Sequence, residues 1–169
     1  MKSGTPPHQT YPGVADSEIH WVPIGLFAGA ESAASHRFTS TTEYLETIVS
    51  IPRLYVGGRI LVRVLWSVDT GSTADSVTWR VRYAPISPEA DAVTTAATTA
   101  LETTIADDAA LATASALQRS PDGVLNGGDF ADGDLIKLRL DMPTLTSLTA
   151  TTDAIHAYGV ELKFTRKEL

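Results

Sequence analysis

The side chains able to do chemistry in this 169-residue chain are four histidines, twenty carboxylates and many hydroxyls; there is no cysteine. Without thiols there is no disulfide framework, no thiolate zinc or iron–sulfur site and no cysteine nucleophile. His8 sits among prolines and His36 in a polar stretch, while His20 and His156 fall in alternating apolar runs. No two share the short spacing of a metal site. His156 is in phase with Tyr158, Val160, Leu162 and Phe164, so a core or interface histidine is expected there. A Ser-His-Asp triad need not be close in sequence. Even so, the chain has no Gly-x-Ser-x-Gly elbow and no phosphate-cradling glycine loop. Gly57-Gly58 and Gly127-Gly128 read as turn glycines. Asp129, Asp132 and Asp134 surround Gly133, and three such carboxylates could hold calcium through loop oxygens. Their spacing is not that of an EF-hand, and an acidic turn before a strand is the ordinary reading. No cofactor, metal or catalytic residue is expected, and the chain reads as a non-enzyme.

The tryptophans raise a different possibility, since exposed indoles stack on sugars or anchor interfaces. Trp66 and Trp79 lie on the apolar faces of their runs and are expected in the core. Trp21 has no such commitment and is a candidate partner-binding residue.

The elements that must position these groups read as strands. Ile60, Val62, Val64, Trp66 and Val68 alternate with Leu61, Arg63, Leu65 and Ser67; Val77, Trp79, Val81 and Tyr83 alternate with Thr78, Arg80 and Arg82. With the polar loop Asp69–Asp75 between them they are expected to form an antiparallel hairpin, ended by Pro85 and Pro88. Tyr44–Ile51 is a strand with Leu45, Thr47, Val49 and Ile51 as its purer apolar face. Glu18–Ala30 is a strand that Pro23 pushes to a sheet edge or a bulge. Residues 32–42 read as a polar connection, Leu111–Gln118 as a weak strand and Asp122–Asp134 as turn throughout. The Ala/Thr tract at 91–108 is open: threonine argues for strand and alanine for helix. Strands over Leu135–Asp141 and Ile155–Phe164 close the pattern. About seven or eight strands and no clear helix predict an all-β antiparallel sandwich or jelly roll over residues 18–169.

Residues 1–17 read as an extended arm, rich in Pro, Gly, Ser and Thr. Pro6, Pro7, His8, Tyr11 and Pro12 are its candidate partner contacts, together with Trp21. The net charge of −7 opposes a phosphate-binding face, so no nucleic-acid partner is expected. No signal-type apolar segment opens the sequence, and nothing approaches the roughly 18 apolar residues of a spanning helix, so a soluble chain made in the cytoplasm with no membrane partner is expected.

One further pattern runs from Leu61 to Phe164. It comprises Trp79 and the Tyr83-Ala84 that ends its strand, then Gly133-Asp134 opening a strand with Leu138 and Leu140, then Gly159, Val160, Leu162 and Phe164. This resembles the jelly-roll virion proteins of tailed bacteriophages, which serve as capsid decoration (cement) proteins or as tail-fibre and tail-tip domains. Many such proteins carry an arginine followed by aspartates after the Gly-Asp strand, where Asp141-Met142-Pro143 stands here. The resemblance implies a decoration protein on the outer capsid surface, with the major capsid protein and copies of itself, as a homotrimer, as partners. Its alternative is a receptor-binding domain recognising a cell-surface glycan. No catalytic residue carries over.

Overall fold

The computed structural model describes residues 16–53, 55, 57–69, 76–86, 101–107, 116–131, 133–146 and 155–166. Ten strands appear among them, in two antiparallel sheets packed face to face: an all-β sandwich. They are β1 (Asp16–Pro23), β2 (His36–Phe38), β3 (Tyr44–Ser50), β4 (Arg59–Val68), β5 (Ser76–Ile86), β6 (Leu101–Asp107), β7 (Gln118–Arg119), β8 (Gly123–Asn126), β9 (Leu135–Thr146) and β10 (Ile155–Arg166). The first sheet runs β1-β10-β4-β7, with β2 beside β10 and β8 beside β4; the second runs β3-β9-β5-β6.

Pairing is nested. The innermost pair is β5 with β6; outside it come β4 with β7 and β8, then β3 with β9, then β1 with β10. Short strands share an edge end to end. β2 takes Ile155–Ala157 of β10, where β1 has stopped at Gly159. β8 and β7 share β4, and Ser120 bridges their gap: its Oγ accepts from the Val64 N–H and its own N–H donates to the Val64 carbonyl, both at 2.9 Å.

Period-2 alternation explains the core. Ile60, Val62, Val64, Trp66 and Val68 of β4 are all buried, as are Val77, Trp79, Val81 and Tyr83 of β5. The expected hairpin between these two strands does not form. β4 lies in the first sheet and β5 in the second, so Asp69–Asp75 connects the sheets. A hairpin would turn both apolar faces to the same side; here they meet across the core, with the Trp66 and Trp79 rings 6.0 Å apart, edge to face. The buried Trp66 Nε1–H donates to the buried Asp107 Oδ2 at 2.7 Å.

Other readings shift in detail. The Glu18–Ala30 strand ends at Pro23, and Ile24–Leu26 form a 3-10 turn. The polar connection at 32–42 contains β2, held by its pairing to β10. Within Asp122–Asp134, Gly123–Asn126 pairs with β4 and Gly127–Asp129 is a 3-10 turn capped by the Asn126 side chain. From Leu111–Gln118 only Gln118 is strand among the described residues. The Ala/Thr tract is strand over Leu101–Asp107, and its earlier part lies outside the described residues.

Candidate partner-binding surface

Strand β1 is the edge of the first sheet among the described residues, and it alternates. Val22 faces the core at 3% exposure, while Ile19 is 63% and Trp21 45% exposed on the outer face. Edge position suits Pro23, which has no N–H to give a further strand.

The register lays this outer face out in rows. Ile19 stands opposite Lys163 of β10, Lys163 opposite Leu61 of β4, and Leu61 opposite Val124 of β8. In the next row Trp21 faces Glu161 and Glu161 faces Arg63. Arg63 forks onto Asp122, with Nε 2.5 Å from Oδ1, and Arg119 Nε reaches Glu161 at 3.2 Å. The hydrogen bond and charge of Asp122 hold the Arg63 guanidinium above its usual range. These pairs are exposed and contribute at most about 1 kcal/mol each to stability; their effect is to fix polar groups beside a row in which Ile19, Leu61 and Val124 are interrupted by the exposed Lys163. A shallow depression lies between Ile19, Leu61, Arg63 and Lys163.

Trp21 owes its place to a glycine. A β-carbon at Gly159 would collide with the Trp21 ring and lie 2.5 Å from the Val22 carbonyl oxygen. The indole therefore packs on bare backbone with part of its surface open. Gly159 also follows a bulge in β10, where the register against β4 shifts between Ala157 and Gly159. Inward phase passes from Ile155 and Ala157 to Val160, Leu162 and Phe164. This corrects the reading of His156: it leaves the apolar set and is half-buried beside Asp69, with Nε2 4.0 Å from Oδ2. Tyr158 moves with it and bonds Ser67 Oγ at 3.0 Å.

The remaining candidates separate widely. Pro6, Pro7, His8, Tyr11 and Pro12 lie outside the described residues. Trp66 and Trp79 are core residues, as expected. His20 pairs with Glu18 at 2.6 Å and touches the Phe164 ring edge-on. His36 is buried, its Nδ1 accepting from the Glu31 N–H and its Nε2 facing Glu43 at 3.1 Å. Asp134 Oδ2 accepts the Ala131 N–H at 2.8 Å, an ordinary turn contact; Asp132 lies outside the described residues. Among the described residues no group of three His, Asp or Glu side chains is placed to hold a metal ion. Ile19, Arg63, Glu161 and Asp122 were not singled out by sequence. Each belongs to a different strand or turn, and only the register brings them together.

The chain was compared with models of known protein families and with curated protein sequences, and it matches none.

Proposed function

We propose that the chain is a virion structural protein of the kind it resembles: a capsid decoration protein that binds the outside of a shell and clamps neighbouring capsomers. The observation that carries the reading is the edge strand β1, with Ile19 and Trp21 exposed on it and residues 1–15 leading directly into it. An exposed tryptophan beside exposed apolar side chains such as Ile19, with fixed polar pairs around it, has the anatomy of an interface anchor. Strand order supports the jelly-roll form of the fold. The nested pairs, split between a sheet ordered 1-10-4 with β7 and β8 sharing its far edge and a sheet ordered 3-9-5-6, are those that one long hairpin rolled into two Greek keys would give. The charge of −7 suits an outer shell surface better than a lumen filled with nucleic acid. In this reading the partners are the major capsid protein and two further copies of the chain. Binding only the assembled shell stabilises that shell by mass action.

The test is light scattering on the purified protein, followed by sedimentation with empty shells from the same source. A trimer that co-sediments is expected. Trp21→Ala should weaken shell binding about 30-fold, the roughly 2 kcal/mol of a tryptophan anchor. Deleting residues 1–15 should weaken it further. Shell occupancy unchanged in both variants would defeat the assignment.

A second reading, a tail-fibre domain recognising a cell-surface glycan, draws on one feature: an indole on bare backbone beside Glu161, with Arg63 one strand further on. Sugar rings stack on such faces while carboxylates and guanidinium groups take their hydroxyls. A specific glycan-array signal lost in Trp21→Ala, together with no shell binding, would favour it.

A further inference from the structure

The outer face of the second sheet is built differently. Its central row reads Glu46 on β3, Arg139 on β9, Arg82 on β5 and Glu102 on β6, each opposite the next. Two arginines thus stand directly across from one another, a like-charge pairing that destabilises a sheet. Neighbouring cations are matched: Arg80 forks onto Asp141 at 2.7 and 2.8 Å, and Lys137 reaches Glu46 at 3.6 Å. Arg82 has the exposed Glu102 at 3.4 Å. Arg139 has no carboxylate within ion-pair distance among the described residues, and its buried Nε has no hydrogen-bond partner there. Its guanidinium instead lies over the Tyr44 ring, 3.4 Å from the centroid. Stacking fixes the planar group with its remaining donors uncommitted.

We propose that this Tyr44–Arg139–Arg82 surface binds a carboxylate presented by an acidic segment of a partner protein. Charge complementarity argues for the anion: four cations face three carboxylates here, on a chain whose total is −7. The flanking Glu46 and Glu102 argue for a singly charged group, because a dianion would meet both at greater cost. The rim argues for a peptide rather than a free ion. Tyr44 and Ile48 are 47% and 44% exposed along β3, so apolar side chains next to the acidic one have somewhere to lie. The surface is on the opposite sheet from Trp21, and the inference does not depend on which partner that tryptophan meets.

The probe is a blocked synthetic peptide of alternating Asp and Leu, titrated by calorimetry and by NMR of the arginine Nε–H resonances. Saturable binding that moves the Arg139 resonance is expected. Arg139→Lys and Arg82→Gln should each weaken it at least tenfold, and Arg53→Gln, in an exposed turn, should leave it unchanged. Relieving the like-charge pair should leave the melting temperature of Arg82→Gln equal to or above that of the parent. Equal binding of the Asn-for-Asp peptide, or undiminished binding by both variants, would overturn the proposal. So would inorganic phosphate displacing the peptide at lower concentration than acetate does, or a large loss of stability in Arg82→Gln.

Discussion

Asp141 and Tyr55 show how single polar groups are held once they are buried in this fold. The Asp141 carboxylate is buried and receives both Nε and Nη2 of Arg80, whose guanidinium is held above its usual range by that hydrogen bond. Removing the cation leaves a buried carboxylate unpaired, so Arg80→Ala should cost about 3 kcal/mol. Arg80→Met with Asp141→Leu should recover most of that loss; urea denaturation of the three proteins measures both effects. Tyr55 is buried and donates its hydroxyl to the Gly58 carbonyl at 2.9 Å. Burial raises its pKa above the ordinary 10.0. The folded state therefore keeps the phenol proton longer than the unfolded state does. The stability tied to it is complete below about pH 10 and is lost as pH rises toward the folded-state value. Denaturation midpoints measured on both sides of pH 10 should fall less steeply in Tyr55→Phe than in the parent.

At the scale of elements, the bulge in β10 is what places the candidate surface. Gly159→Ala should cost about 1–3 kcal/mol, because its β-carbon meets both the Trp21 ring and the Val22 carbonyl. Stronger quenching of the tryptophan fluorescence by acrylamide should accompany the loss as β1 is pushed from β10. How far such elements are legible in sequence depends on what determines them. β4 and β5 are long and carry an apolar residue at every second position, so the core face of each can be assigned residue by residue, although Leu65 and Ser67 on the other face of β4 are buried too. The phase of β10 cannot be read through its bulge, and this moved His156 out of the expected core. β2 and β8 are three and four residues long and exist through the strands they pair with. Nor does the text around Asp69–Asp75 distinguish a hairpin from a crossing between sheets, because both bury the same apolar faces. Trp21 could be nominated because nothing in its own run committed it to the core. Arg139 could not, since its environment is assembled from β3, β5 and β9.

Taken whole, the molecule offers two unlike faces: a mixed one on the first sheet, where Trp21, Ile19 and Leu61 lie among charged residues, and one on the second where Arg139 stacks on Tyr44 beside Arg82. Both are outer faces of the two sheets. The nested pairing that creates them also governs how the chain can be made. Each outer pair joins segments further apart in sequence than the pair inside it, so local contacts are few and folding belongs among the slow, millisecond-to-second topologies. During synthesis β1 leaves the ribosome before every other strand, yet its partner β10 is the last of the ten to follow. Until then a nascent chain carries Ile19 and Trp21 on an unpaired strand, where a neighbouring polypeptide could claim them. Glu18, His20 and Pro23, interleaved with those apolar residues, act as gatekeepers over that interval.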